Sequence, residues 1–142
     1  MKNINQLTPG RAFTLTVLSE RLGICSLEPP ASVPDQIFQS SFFSVTRTSD
    51  ELSIVCNETH MPKKGRCSTG WCCLQVEGPL DFSETGILSA LSRPLAEAQI
   101  PIFVLSTYET DYLLVKEQNL NQAIDVLTSE GHSIIYDESG EK

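Results

Sequence analysis

The C-terminal half of the chain contains the segment IFVLSTYETDYLLVK, residues 102–116. It consists of two apolar runs, residues 102–106 and 112–115, with a short polar stretch between them. Short apolar runs rich in β-branched and aromatic residues are typical of strands, and a polar stretch of this length is typical of a hairpin turn. The segment therefore predicts a β-hairpin in which Asp111 stands at the start of the returning strand.

Regular elements are predicted on both sides of this hairpin. Upstream, residues 71–76 read as a strand, and a helix over about residues 85–99 would place Ile87, Leu91 and Leu95 on one face. Downstream, a second helix ends before Gly131, a residue suited to a helix C-terminus, and residues 133–136 read as a last strand. The order strand, helix, strand, strand, helix, strand is the split ferredoxin-like pattern. We therefore predict the α+β class, with antiparallel sheets and both helices on one face.

The N-terminal half carries a weaker version of this pattern. Strands are predicted at residues 13–17 and 22–27, and residues 42–46 and 52–56 bracket a second polar turn. Residues 42–55 align with residues 102–115, which places Glu51 opposite Asp111 at the start of a returning strand. We predict two ferredoxin-like modules, a degenerate one at residues 1–66 and a second at residues 67–142, with a linker within residues 57–70.

Composition excludes several classes of function. The chain has 142 residues, of which 40% are hydrophobic and 20% charged, and its formal net charge is −8. An acidic chain with scattered lysines and arginines disfavours nucleic acid as a partner. The first residues lack the apolar core of a signal peptide, and no apolar run approaches the ~18 residues that cross a bilayer. We therefore expect a cytoplasmic protein with neither a membrane nor a nucleic acid as partner.

Five cysteines occur at irregular spacing, and two of them are adjacent. An odd number of cysteines in a cytoplasmic chain favours reduced, partly buried thiols over a disulfide framework. Adjacent cysteines in a strand point to opposite faces and cannot both hold one metal ion, so neither a metal site nor another cofactor is expected. The sequence also lacks the nucleophile elbow, the Walker loop and the dinucleotide fingerprint, so catalysis is not expected.

Three segments resemble ACT domains. Residues 78–88 with residues 94–98 resemble the strand-to-helix entry of an ACT domain, although Thr85 stands where many members have proline before the loop glycine. Residues 106–117 resemble the matching hairpin, and residues 43–55 resemble the N-terminal hairpin of small bacterial two-module members. The chain is similar to those proteins, to the cytosolic arginine sensors of the TOR pathway (the CASTOR proteins) and to the ACT regions of aspartate kinases. The resemblance covers roughly residues 13–132.

The resemblance implies a small-molecule site with residues from both halves. A free amino acid needs N–H groups for its carboxylate and a carboxylate or carbonyls for its ammonium, which the start of a helix beside Gly86 and the side chain of Asp111 could supply. The alternatives are that Ser83 or Thr85 caps the helix while Gly86 relieves packing, and that Asp111 only satisfies its own turn. The ligand-binding residues implied are Ser83, Glu84, Thr85, Gly86, Ile87, Thr107, Tyr108 and Asp111 from the C-terminal half, and Ser44, Val45 and Thr46 from the N-terminal half.

The resemblance therefore implies a non-catalytic regulatory protein that holds an amino acid between its two modules. The alternative is a ligand-free interaction module, because exposed strand edges are docking surfaces in their own right. Either version allows a homodimer. The residues do not specify which amino acid would bind.

Overall fold

The computed structural model describes residues 11–80 and 85–137. Its packing divides the chain into two compact units. The discontinuous unit combines the residues up to Ser19 with those from Cys72 onward, and the inserted unit is Glu20–Trp71. The strands are β1 Thr14–Val17, β2 Leu22–Leu27, β3 Phe43–Arg47, β4 Leu52–Asn57, β5 Arg66–Val76, β6 Phe103–Ser106, β7 Asp111–Lys116 and β8 Ser133–Tyr136. The α-helices are α1 Ile87–Glu97 and α2 Leu120–Ser129, and short 3-10 helices span Asp35–Gln39, Glu58–His60 and Glu117–Asn119.

The discontinuous unit confirms the predicted ferredoxin-like order of β5, α1, β6, β7, α2 and β8. Its strands lie in the order β6-β7-β5-β1-β8. Alternate residues of β1, β5 and β7 pack against both helices, which places the two helices on one face of the sheet. The buried residues of this core are Phe13, Leu15, Val17, Cys72, Leu74, Val76, Ile87, Leu91, Leu95, Ile100, Leu113, Val115, Leu120, Ala123 and Leu127.

Strand β1 lies between β5 and β8 and pairs antiparallel with β5 but parallel with β8. The sheet is therefore mixed rather than wholly antiparallel. This strand was assigned from the sequence to the module at residues 1–66, yet it packs with the elements that follow Cys72. The reason is its pattern of burial, because Leu15 and Val17 face the same helices as Leu74 and Val76. Sequence order alone does not reveal such a partner.

The inserted unit has the strand order β3-β4-β2-β5, with only the first part of β5 belonging to it. All of its residues are described, and none of them forms an α-helix. Its core consists of Leu27, Ile37, Leu52, Ile54 and Cys56. The predicted linker at residues 57–70 is wrong in its last part, because β5 already begins at Arg66 and pairs with β2.

Cys25 and Cys67 form a disulfide within the inserted unit, so the expectation of reduced thiols is wrong for this pair. The two residues are direct partners across β2 and β5, with their Cα atoms 4.1 Å apart. Their separation of 42 residues hid this proximity in the sequence. The other cysteines, Cys56, Cys72 and Cys73, are buried and do not take part in a disulfide.

The two hairpins have the same turn, but the number of residues that separates equivalent positions differs by one from the sequence prediction. Arg47 pairs with Leu52 across the first turn, and Ser106 pairs with Asp111 across the second. The equivalent residues are therefore 59 positions apart (106 − 47 and 111 − 52), and not sixty. The carboxylates of Glu51 and Asp111, which the sequence alignment superposed, occupy neighbouring rather than equivalent positions.

Candidate functional site

A cavity of about 360 Å³ opens in the discontinuous unit between the start of α1 and the turn that joins β6 to β7. Its walls come from the loop after β5, from the first residues of α1 and from the whole turn. The lining residues are Leu80, Gly86, Ile87, Leu88, Ser106, Thr107, Tyr108, Glu109, Thr110 and Asp111. Gly86 and Asp111 thus face one shared space.

The helix side of the cavity begins at Gly86, which occupies the N-cap position of α1 with φ at +80°. This left-handed conformation favours glycine. A Cβ atom built at Gly86 would meet no atom of the described residues within 4 Å, so among these residues the backbone conformation, and not crowding, accounts for the glycine. No side chain among the described residues caps the helix, so Thr85 does not have the capping role that the alternative interpretation gave it. N–H groups in the first turn of a helix have no partner within the helix and carry a positive partial charge.

The opposite wall is a turn fixed by the hydroxyl of Thr107. This oxygen accepts hydrogen bonds from the N–H groups of Glu109 and Thr110, both at 3.3 Å. The N–H of Thr107 in turn donates to the carbonyl of Thr110 at 2.8 Å. Such a side-chain-to-backbone network fixes the turn without help from the ligand. The wall is therefore formed before anything binds.

Two further contacts join this turn to β5 and to the loop after it. The hydroxyl of Thr110, a buried residue, donates to the carbonyl of Val76 at 2.6 Å. The N–H of Leu80 donates to the carbonyl of Glu109 at 2.7 Å. A Cβ atom at Gly78 would lie 2.9 Å from that same carbonyl, so only glycine allows the close approach. These contacts fix the distance between the turn and the strand that leads toward the helix.

Asp111 presents its carboxylate at the foot of the turn. One carboxylate oxygen, Oδ1, accepts a hydrogen bond from the hydroxyl of Ser106 at 2.6 Å. The donor is thus a neighbouring side chain, and not the turn backbone that the alternative interpretation required. An ionised carboxylate has about four acceptor sites, so this hydrogen bond leaves capacity for a cationic ligand group. Tyr108, at the tip of the turn, is 78% exposed.

The structure brings together five of the predicted ligand-binding residues. Gly86, Ile87, Thr107, Tyr108 and Asp111 all line the cavity. Of the others, Thr85 is exposed beside Gly86, Ser83 and Glu84 lie outside the described residues, and Ser44, Val45 and Thr46 lie on β3 of the inserted unit.

The predicted set lacked five residues that also line the cavity: Leu80, Leu88, Ser106, Glu109 and Thr110. Leu80 follows Pro79 in a stretch read only as a loop, and Glu109 read only as a polar turn residue. The close backbone contact between them depends on Gly78, and a glycine shortly after a strand was the one signal that could have indicated it.

Cys56 and Cys73 lack the properties of catalytic nucleophiles. Burial raises the pKa of Cys56, and burial together with the neighbouring Cys72 raises the pKa of Cys73 to about 12. A nucleophilic cysteine needs a lowered pKa and access to substrate. Among residues 11–80 and 85–137, no group of three or more His, Cys, Asp or Glu side chains is placed to hold a metal ion. Within the same ranges, no helix has the length and apolarity to cross a membrane.

Comparison with known proteins gives a consistent assignment. A family model described as ACT domain matches residues 66–129, and a second, which describes an N-terminal domain, matches residues 20–64. An Agobacterium tumefaciens protein of known crystal structure has 38% sequence identity to this chain. The two structures match with a TM-score of 0.82, and the match covers 89% of this chain and 94% of that one. The Bos taurus protein "Cytosolic arginine sensor for mTORC1 subunit 1" is 32% identical over 100 residues, which covers 63% of this chain and 30% of that protein.

A Clostridium acetobutylicum aspartate kinase has the same fold over 91% of this chain and 36% of that one, with a TM-score of 0.64 and 12% identity. This chain spans less than two thirds of the length of the first curated relatives that it matches. The matched residues 66–129 contain the start of α1 and the turn that line the cavity. Residues 66–129 of this chain belong to the ACT domain family.

Proposed function

We propose that the protein is a cytoplasmic, non-catalytic regulator that binds a free amino acid in the cavity beside Gly86 and Asp111. The observation that carries the proposal is the pairing of opposite charges across one small space. The first turn of α1 has N–H groups without a partner inside the helix, which suit a carboxylate, and Asp111 offers acceptor capacity to an ammonium. The name of the bovine relative, an arginine sensor, agrees with this class of ligand.

The size of the cavity supports a ligand of this class. Ligand pockets commonly enclose about 300–1,000 Å³, and a cavity of about 360 Å³ lies near the small end of that range. The side chain of the ligand would contact Leu80, Ile87 and Leu88, which are the apolar part of the lining. The expectation that residues of the inserted unit complete the site, with the ligand held between two modules, stays a prediction.

Isothermal titration calorimetry with the twenty amino acids tests the proposal. For each amino acid that binds, its carboxamide and its N-acetyl derivative serve as matched controls, because each removes one of the two charges. We expect both derivatives to bind at least about tenfold more weakly, since each loses a charge-assisted hydrogen bond. Amide spectra should shift at residues 86–88 and 106–111. If no amino acid binds at about 10 mM, or the derivatives bind as well as the parent, the proposal is wrong.

The second candidate is an interaction module that forms a homodimer without a ligand. It is favoured by β8, which ends the strand order of the discontinuous unit and exposes Ile135 and Tyr136 at 52% and 58%. Exposed apolar side chains on an edge strand favour pairing with a second chain. Light scattering after size exclusion would detect the dimer, and Ile135→Lys should dissociate it. A monomer at all concentrations would exclude this candidate.

A further inference from the structure

We propose that the inserted unit contains a second ligand site, separate from the amino-acid cavity, which binds a monocarboxylate with an apolar body. The site is a cavity of about 710 Å³ between the segment that follows β2 and the loop that precedes β5. Its lining includes the apolar residues Leu27, Ala31 and Pro62 and the charged residues Lys63, Lys64 and Glu28. All of these residues belong to the inserted unit.

The floor of this cavity rests on the core of the inserted unit. Leu27 is buried in that core beside Ile37, and Ala31 packs against the same cluster from the loop. Pro62 is also buried. The apolar part of the lining is therefore continuous with the packed core, and an apolar ligand body would shield it from water.

Three contacts fix the two segments that form the walls. The side chain of Gln36 donates through Nε2 to the carbonyl of Met61 at 3.2 Å, which joins the 3-10 helix to the loop before β5. The backbone of Gly65 lies close to the carbonyl oxygen of Ser26. Its φ is +99°, and a Cβ atom at this position would lie only 2.7 Å from that oxygen. The disulfide of Cys25 with Cys67 links the two strands from which the wall segments leave. The cavity is therefore preformed, and a ligand would not have to order it.

The charge of the lining selects the class of ligand. Lys63 and Lys64 contribute two positive charges, and Glu28 is the single carboxylate among the described lining residues. The lining therefore has a net charge of +1 (2 − 1) in a chain whose formal net charge is −8. One excess positive charge matches a monoanion, whereas the charge of the whole chain disfavours polyanions such as nucleic acid or polyphosphate.

Binding of phenylacetate to the full chain, followed by amide chemical shifts, tests the proposal. Phenylacetamide has the same shape without the charge and is the ligand control. We expect saturable shifts at residues 27–36 and 62–65 with phenylacetate, and affinity for phenylacetamide weaker by about two- to fivefold, because the neutral amide loses the attraction of the exposed lysines. No saturation at about 10 mM, or equal binding of the amide, would overturn the proposal.

Substitution of the two lysines separates local charge from total charge. In the variant with Lys63→Gln and Lys64→Gln the formal net charge becomes −10 (−8 − 2). The control with Arg47→Gln and Arg93→Gln has the same net charge and changes only exposed residues outside the cavity lining. We expect phenylacetate to bind the lysine variant at least about threefold more weakly than the arginine variant. Equal weakening in both variants would mean that only the total charge matters and would overturn the proposal.

The outcome is independent of the proposed function. Amino-acid binding is monitored at residues 106–111, and phenylacetate binding at residues 27–36 and 62–65. The lysine variant should keep the affinity of the chain for its amino acid. Shifts from phenylacetate confined to residues 106–111 would place it in the first cavity and would also refute the second site.

Discussion

Replacing Thr110 with valine tests whether one buried hydrogen bond holds the turn against the sheet. Valine has nearly the shape of threonine, so the change removes the hydroxyl without leaving a cavity. The hydroxyl donates to the carbonyl of Val76 at 2.6 Å, and the side chain is only 4% exposed. An acceptor left unpaired in such a place costs about 1–3 kcal/mol. We therefore expect T110V to lower the free energy of unfolding of the discontinuous unit by about 2 kcal/mol.

Urea denaturation with two signals measures this loss. Far-UV circular dichroism follows the two α-helices, which belong to the discontinuous unit, and fluorescence of Trp71, the single tryptophan, follows the inserted unit. With a slope of about 2 kcal/mol per molar urea, the helical transition of T110V should occur at a urea concentration lower by about 1 M. The affinity for the amino acid should fall as well, since the turn would no longer be fixed at one distance from β5.

Two control variants show which result would refute the reasoning. Thr110→Ser keeps the hydroxyl and loses a methyl group, so its transition should lie closer to the wild-type value. Thr107→Val removes a hydroxyl that accepts from the exposed N–H of Glu109 and the partly buried N–H of Thr110, both at 3.3 Å. Because these hydrogen bonds are long and water can replace the one at Glu109, the loss should be smaller than that of T110V. If T110S is as destabilised as T110V, the methyl packing matters and the hydrogen bond does not.

The remaining predictions concern both units. Asp111→Asn should raise the Kd for the amino acid by about five- to thirtyfold, measured by calorimetry, because a charge-assisted hydrogen bond becomes a neutral one. Gly65→Ala should lower the free energy of unfolding of the inserted unit by more than about 1 kcal/mol, followed by Trp71 fluorescence, since φ is +99° and the added Cβ would overlap backbone. Burial lowers the pKa of His132, so the unfolded chain takes up a proton first as the pH falls. The contribution of neutral His132 to the free energy of unfolding should be fully present above about pH 6.5 and should decrease as the pH falls below that value. Melting curves recorded over a pH series should show that His132→Asn loses this dependence.

Local periodicity predicted most of the discontinuous unit, because its elements follow one another along the chain. The α1 stripe of Ile87, Leu91 and Leu95 is buried as expected, and both hairpins form. What the pattern could not predict depends on pairing between distant segments. Strand β1 finds its partners in β5 and β8, and Cys25 finds Cys67 only because β2 and β5 pair in one register. Neither choice has a signature within a window of a few residues.

The site shows the same division between local and distant information. Asp111 and Gly86 were recognisable as a turn carboxylate and a glycine at a helix start, and both line the cavity. The offset between the hairpins was wrong by one residue because the alignment matched side chains, whereas the turn is set by hydrogen bonds of Thr48 and Thr107. The N–H groups of these threonines donate to the carbonyls of Glu51 and Thr110, at 2.9 and 2.8 Å. Turn chemistry was therefore a better guide to the register than residue identity.

The equivalence of the two turns explains why the proposed amino-acid site is expected in only one unit. Both units have the threonine-fixed hairpin, but only in the discontinuous unit does an α-helix start beside it. In the inserted unit Glu51 accepts a hydrogen bond from Ser26 of β2, at 2.7 Å, and the unit has no α-helix. A zwitterion needs a positive and a negative partner together. A turn without the helix could bind the ammonium of an amino acid but would lack the N–H groups that bind its carboxylate. The cavity of the inserted unit has lysines instead, and its ligand should accordingly carry a single negative charge.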